Sequence, residues 1–205
     1  MNKAKRFRPE FFNKDYFENG INSLYGFANI SPYSDETYLP QARDLAKKLS
    51  QHLHEGDFFL EIGCAKGFMT GALRELGFNG VGIDISRYAT RHSRKKDRGV
   101  LVCGDIIDMP FKDQVFTTAW ASNILEHIPI EFLERALEGI KRILTPNALL
   151  FVLVPLHGLE EELDGSHVSV LTKEEWLTLF RKYFQIENVL EYEPNNLEEF
   201  ILRNV

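Results

Sequence analysis

The sequence lacks most features that mark secreted, membrane-spanning or nucleic-acid-binding proteins. Only two cysteines, Cys64 and Cys103, occur among the 205 residues, too few for the disulfide framework of a small secreted protein. No apolar run approaches the roughly 20 residues needed to span a bilayer, and no secretory signal is visible. The net charge of −6 gives no electrostatic reason to expect a nucleic-acid partner. We therefore expect a cytoplasmic protein with no membrane or nucleic-acid partner.

Two phosphate-binding motifs are absent from the glycine-bearing segment Glu61 to Gly67. No Gly-Lys-Ser/Thr follows it, so a P-loop is excluded. A dinucleotide-binding G-x-G-x-x-G counted from Gly63 needs glycines at positions 65 and 68, which are Ala65 and Phe68 here. A nicotinamide-dependent oxidoreductase is therefore disfavoured. Taken alone, the segment also fits a generic strand-to-helix turn.

Three acids follow apolar runs at near-equal intervals. These acids are Glu61, Asp84 and Asp105, and each run is typical of a strand. A helix pattern starts directly after Gly67, so free N–H groups there can face a carboxylate or phosphate. Asp84 can accept both hydroxyls of a ribose, and Asp105 can accept from an exocyclic amine such as adenine N6. The spacing predicts an adenosine-binding site.

Strands and helices alternate along the chain, which predicts a parallel sheet with right-handed crossovers and helices on both faces. We expect one α/β domain, residues 34–205, after an aromatic-rich extension, residues 1–33. Its fold class is a Rossmann-like, doubly wound, mostly parallel seven-stranded sheet with a C-terminal antiparallel hairpin. Strands are predicted at 57–62, 80–84, 99–103, 115–121, 148–154, 185–192 and 197–205. Helices are predicted at about 34–54, 67–77, 86–97 and 130–144, with a further helix capped by Thr172.

These segments resemble class I S-adenosylmethionine-dependent methyltransferases of the small-molecule type. The likeness lies in the pattern Glu/Asp-x-Gly-x-Gly-x-Gly, present as Glu61-Ile62-Gly63-Cys64-Ala65-Lys66-Gly67 with Ala65 at the middle glycine. It continues through Ala121 to Ile128 and Leu137 to Pro155, and covers roughly residues 35–205. Thr117 departs from the family, which usually has Asp there.

The resemblance implies S-adenosylmethionine as the cofactor and a small-molecule methyl acceptor. In that family the glycine turn wraps the methionine part, the acid at Asp84 holds the ribose, and the acid at Asp105 meets the adenine. An N-terminal segment commonly lies over the cofactor, so residues 1–33 are a candidate lid, with simple core packing as the alternative. The cofactor-binding residues implied are Glu61, Gly63, Cys64, Ala65, Gly67, Asp84, Ile85, Asp105, Ile106 and Asn123.

The histidines supply the candidate catalytic groups. Methyl transfer requires alignment and, for a hydroxyl acceptor, removal of a proton. His127 and His167 follow predicted strands at the edge where a parallel sheet forms its binding crevice, so we expect both to be catalytic. A helix cap or a structural hydrogen bond is the alternative for each. His157, Asp164 and His167 would be the ligands of a divalent metal, but no compact spacing supports such a site and no metal is expected.

We therefore expect methyl transfer from S-adenosylmethionine to a small molecule, with oxygen of a sugar, lipid or secondary metabolite as the preferred acceptor. The Asp/Asn-Pro-Pro-Tyr/Phe motif of nucleic-acid and protein amino-methylating members is absent, because Ser122-Asn123-Ile124-Leu125 stands at that position. The alternatives are an N-methyltransferase and a non-catalytic S-adenosylmethionine-binding partner subunit. The sequence predicts no oligomeric state.

Overall fold

The computed structural model describes residues 9–19, 34–157, 166–192 and 197–205. Seven strands form one sheet within these ranges. They are β1 (Phe58–Ile62), β2 (Asn79–Asp84), β3 (Leu101–Cys103), β4 (Phe116–Ser122), β5 (Leu144–Pro155), β6 (Gln185–Tyr192) and β7 (Leu197–Arg203). Their order across the sheet is β3-β2-β1-β4-β5-β7-β6. Strands β1 to β5 are parallel, and β7 runs antiparallel to both β5 and β6. The predicted fold class is thereby confirmed.

Helices cover both faces of the sheet because side chains alternate along each strand. The helices are α1 (Lys14–Asn19), α2 (Asp35–Ser50), α3 (Phe68–Glu75), α4 (Arg87–Arg91), α5 (Ile130–Ile143) and α6 (Lys173–Phe180). On β1, Leu60 and Ile62 join the core that includes residues of α5 and α6, whereas Phe59 joins the core formed with α2 and α3. No helix among the described residues has the length and apolar character required to cross a membrane.

The sheet positions a crevice beside β1. Strand β1 lies between β2 and β4, so the chain leaves its carboxyl end toward one side of the sheet and later returns on the other. Ligands of open α/β sheets bind outside the carboxyl ends of the strands at such a reversal. The ends of β1, β2 and β4 are Ile62, Asp84 and Ser122, which places the predicted strand-end acid Asp84 at this edge.

Several predicted boundaries differ from the structure, and two of these differences have a visible cause. The helix predicted at 86–97 ends at Arg91; Arg94 and Asp97 then pair at 2.5 Å within the following turns. Strand β5 begins at Leu144, four residues before the predicted 148, because Leu144 already pairs with Phe116 before a register shift. The C-terminal hairpin agrees with its prediction, and its connection, residues 193–196, lies outside the described residues.

Candidate cofactor and acceptor site

The glycine turn adopts left-handed backbone conformations at three positions. Gly63, Ala65 and Gly67 have φ values of 76, 48 and 74°. A side chain in this region costs roughly 1–2 kcal/mol, so the family's middle glycine is replaced here by a strained alanine. The N–H groups of Gly63 and Cys64 both donate to the Ile83 carbonyl, at 2.8 and 3.0 Å. The turn is therefore fastened to the end of β2.

Asp84 organises the same turn through its side chain. Its Oδ2 accepts from the Ala65 N–H at 2.8 Å, and its Oδ1 accepts from the Ser86 N–H at 2.7 Å. The residue is only 9% exposed. Burial raises the pKa of Asp84 to about 6, against the opposing effect of the two N–H groups. One carboxylate thus joins the glycine turn to the start of α4, and each oxygen keeps a further lone pair for a ligand.

Glu61 has a role that sequence reasoning missed. Its Oε2 accepts from the Thr70 N–H at 2.7 Å and from the Thr70 hydroxyl. Burial raises the pKa of Glu61 to about 7, the Thr70 hydrogen bonds lower it, and the nearby charge of Asp84 raises it further. Glu61 therefore holds the first turn of α3 against β1. It contacts the helix start rather than the cleft described next.

A narrow cleft of about 30 Å³ lies at the carboxyl ends of β1, β2 and β4. Four predicted cofactor residues line it, together with one predicted catalytic residue: Gly63, Asp84, Ile85, Ile106 and His127. Phe12, from the candidate lid segment, also lines it, and five residues that had no predicted role complete the lining: Ile62, Ile83, Gly104, Ile124 and Ile128. The walls are mostly apolar, and Asp84 and His127 provide polar groups, as is usual for small-molecule sites.

The remaining predicted cofactor residues surround this cleft without lining it. Cys64, Ala65 and Gly67 shape the glycine turn from within. Asp105 is half-buried, and its Oδ1 accepts from the Ile107 N–H at 2.9 Å, which caps a short 3₁₀ turn. Asn123 is exposed with φ at 50°, and its N–H donates to the Leu153 carbonyl at 2.8 Å.

The described part of the N-terminal extension, residues 9–19, packs over this region. The Ser86 hydroxyl donates to the Phe12 carbonyl at 2.6 Å. On α1, Glu18 Oε1 accepts from Lys66 Nζ at 2.6 Å and from the Tyr88 hydroxyl at 2.9 Å. Burial alone would raise the pKa of Glu18, but these two hydrogen bonds outweigh it and the pKa is lowered. The aromatic side chains of the arm pack on the turn and on α4: Phe11, Phe12, Tyr16 and Phe17 join Ala65, Tyr88 and Ala89.

Both predicted catalytic histidines lie beside the cleft. Their rings meet edge to face with centroids 4.9 Å apart, and Phe12 meets His127 in the same way at 5.7 Å. His127 Nδ1 is 3.2 Å from the Ser166 carbonyl oxygen. Because a carbonyl only accepts, Nδ1 carries the proton of the neutral ring and Nε2 keeps its lone pair.

Glu126 joins the pair, although the sequence analysis did not assign it. It is fully buried, and its Oε1 lies 3.8 Å from His167 Nε2. His157, considered with His167 as a metal ligand, is exposed, and Asp164 lies outside the described residues. The structure therefore groups His167 with the residues that follow β4.

Part of the sequence is similar to known methyltransferases. Residues 60–152 match a family model described as Methyltransferase domain. An uncharacterized protein of Methanocaldococcus jannaschii is 32% identical over 155 residues, which cover 75% of this chain and 61% of that protein. The 24-methylenesterol C-methyltransferase 2 of Arabidopsis thaliana is 29% identical, and the match covers 82% of this chain and 49% of that enzyme. The 27-O-demethylrifamycin SV methyltransferase of Amycolatopsis mediterranei is 31% identical, and the match covers 55% of this chain and 45% of that enzyme. The chain spans about half the length of these relatives.

Solved structures share the fold at low sequence identity. A protein of Pyrococcus horikoshii superposes with a TM-score of 0.73 at 18% identity, covering 87% of this chain and 98% of its own. A SAM-dependent methyltransferase of Archaeoglobus fulgidus gives a TM-score of 0.69 at 13% identity, and the superposition covers 80% of this chain and 94% of that protein. At these identities the likeness shows the fold. Family and fold together imply S-adenosylmethionine as the cofactor.

Proposed function

Because residues 60–152 match a family model described as Methyltransferase domain, we propose that this chain is a class I, S-adenosylmethionine-dependent enzyme that methylates a hydroxyl oxygen of a small molecule. One observation carries the proposal. His127 lines the same cleft as Gly63 and Asp84, so a group able to activate an acceptor adjoins the residues suited to the cofactor.

The cofactor is proposed to lie along the strand ends. Asp84 accepts the ribose hydroxyls with the lone pairs that its two N–H donors leave available. Asp105 has one oxygen occupied by the Ile107 N–H and offers the other to adenine N6. The glycine turn, with Gly63 at the cleft, approaches the methionine part. When bound, S-adenosylmethionine supplies a methyl group on a positively charged sulfur.

Oxygen is the favoured acceptor because a hydroxyl must lose its proton as it is methylated, whereas a neutral amine already has a lone pair. His127 lines the cleft, His167 lies against it, and in the neutral ring with its proton on Nδ1 the basic nitrogen is Nε2. We propose that this histidine pair activates the hydroxyl. One relative named above methylates oxygen and another carbon, so the relatives alone do not select the acceptor.

The arm is proposed to act as a lid. Phe12 lines the cleft and meets His127, while Glu18 bonds to Lys66 on the glycine turn. An apolar cover at this place excludes water from the reacting groups. We also propose a cytoplasmic location and no nucleic-acid acceptor; the free thiols of Cys64 and Cys103 and the net charge of −6 are compatible with both.

The test is incubation with S-adenosylmethionine labelled in its methyl group and fractionated small-molecule extracts. Release of S-adenosylhomocysteine with label on an oxygen supports the proposal, and label on nitrogen or carbon contradicts the acceptor assignment. With the acceptor in hand, His127→Ala should lower turnover by about 100-fold while cofactor affinity is nearly kept. Tight cofactor binding without any S-adenosylhomocysteine release would instead indicate a non-catalytic partner subunit.

A further inference from the structure

We propose that Glu126, His127 and His167 bind one divalent transition-metal ion at the edge of the cofactor cleft. One ligand atom from each of the three side chains lies within 4.8 Å of the other two. In a tetrahedral site, ligand atoms at about 2.0–2.2 Å from the ion are roughly 3.3–3.6 Å apart. The widest separation among the three groups therefore has to close by up to roughly 1 Å when an ion binds. This inference rests on the proposed function only for what the ion does, not for its binding.

The backbone fixes the two segments that carry the ligands. Glu126 and His127 lie in a 3₁₀ turn after β4, and His167 precedes α6. The N–H groups of Val168 and Ser169 donate to the Glu126 carbonyl at 2.8 and 3.0 Å. These bonds hold His167 beside Glu126 even though 41 positions separate them in sequence. The site is thus assembled before any ligand arrives.

The protonation of His127 suits a metal ligand. Its Nδ1 donates to the Ser166 carbonyl, and histidines that bind metals usually donate their other ring N–H to a carbonyl or carboxylate in this way. In that tautomer the second ring nitrogen, Nε2, is the one that can act as a metal ligand. The contact with Phe12 further limits ring rotation.

Burial and donor type identify the class of ion. Glu126 is fully buried, and the side chains of His127 and His167 are nearly so. Buried carboxylates are normally paired or coordinate metals. Two imidazoles and one carboxylate suit zinc, manganese, iron or cobalt, whereas magnesium and calcium prefer sets made only of oxygens.

A structural ion pair between Glu126 and His167 is the competing explanation. Their nearest atoms are 3.8 Å apart, well beyond the roughly 2.7–2.9 Å of a charge-assisted hydrogen bond. That separation is too long for a direct hydrogen bond between the two groups, and it is close to the distance between two ligands of one ion.

The site has a role next to the cleft. Three protein ligands leave coordination positions open to a substrate oxygen, and His127 faces the cleft. With the ion bound, His127 activates the acceptor as a ligand of the ion and not as a base: an acceptor hydroxyl bound there has its pKa lowered by the ion and releases its proton to solvent. Its oxygen then forms the bond to the methyl carbon as the carbon–sulfur bond breaks, with the electron pair remaining on sulfur.

The experiment measures metal binding alone, without cofactor or acceptor. The chelator-treated full chain is titrated with Zn²⁺, Mn²⁺ and Mg²⁺ by calorimetry, and with Co²⁺ by visible absorption. We expect one transition-metal ion per chain, weak binding of Mg²⁺, and absorption bands typical of low-coordinate Co²⁺. His127→Ala, His167→Ala and Glu126→Gln should each weaken binding by at least about 100-fold, because even outer residues of metal sites contribute 10- to 100-fold.

His54→Ala is the matched control, because it removes an exposed imidazole before β1, at the opposite edge of the sheet. Its affinity should equal that of the parent. Circular dichroism and S-adenosylhomocysteine binding show whether each variant is folded; if Glu126→Gln does not fold, the two histidine variants decide. Equal metal affinity in parent and histidine variants would overturn the site. Because turnover is not measured, this result is independent of whether the proposed methyl transfer is correct.

Discussion

Asp84→Asn should separate the stability of the apo protein from its affinity for the cofactor. Burial raises the pKa of Asp84 from 3.8 to about 6. One pKa unit corresponds to about 1.36 kcal/mol. Above pH 6, ionised Asp84 is therefore less stable in the native protein than in the unfolded chain by roughly 3 kcal/mol. Asparagine removes that charge. However, its single oxygen must serve the N–H groups of both Ala65 and Ser86, and losing one buried partner costs about 1–3 kcal/mol. The two effects oppose each other, so the free energy of unfolding at pH 8 should change by less than about 2 kcal/mol.

Cofactor affinity should fall in the same variant. The ribose hydroxyls would lose a charged acceptor, a loss of about 2–4 kcal/mol, or about 30- to 1,000-fold in Kd. The pH dependence has opposite signs for the two properties. The native state binds the Asp84 proton more tightly than the unfolded chain, so parent stability falls as pH rises from about 4 to 6. Cofactor affinity rises over the same range as the carboxylate ionises.

Urea unfolding of the apo protein and calorimetry with S-adenosylhomocysteine check both parts. Asp105→Ala is the control, because Asp105 caps a single N–H and its loss should weaken the cofactor less. Unchanged affinity in Asp84→Asn would refute the ribose assignment. An apo destabilisation above about 4 kcal/mol would refute the cancellation that the raised pKa predicts.

The fold was predictable because its signals are local. Buried strands and a periodic helix such as Ile130–Ile143 leave their own patterns in the sequence. The helix after Asp84 was predicted too long because the polar run after Arg91 has good helix formers, yet Arg94 and Asp97 pair with each other inside a turn. Tertiary contacts decided that boundary, and no local pattern records them.

The candidate site was predictable where a residue's position at a strand end determines its place. Asp84 lies at the crevice for this reason. The same reasoning does not hold for Glu61, because it is not the last residue of its strand. It stands one residue before Ile62, so its side chain points to the opposite face of the sheet from that of Ile62, toward Thr70. The cluster of Glu126 with His167 depends on how the chain returns after β5, and no spacing in the sequence indicates that return.

Four further predictions concern the groups around the cofactor cleft. Glu61→Gln should stabilise the apo protein by up to roughly 3 kcal/mol at pH 9 and by little at pH 5, because burial raises the pKa of Glu61 from 4.5 to about 7 and glutamine can still accept from Thr70. Melting temperatures at the two pH values check this, and an equal change at both would contradict it. Deletion of residues 1–33 should leave a folded domain that binds S-adenosylhomocysteine more weakly, because the arm contacts the cleft through Phe12 and the glycine turn through Glu18. Its described part, residues 9–19, contributes no strand to the sheet. Glu18→Gln, which removes only the charge of the contact with Lys66, should have a smaller effect in the same direction. Protection of the arm from protease by S-adenosylhomocysteine is expected in the full chain, and global unfolding on deletion would show that the arm is part of the core and not a lid.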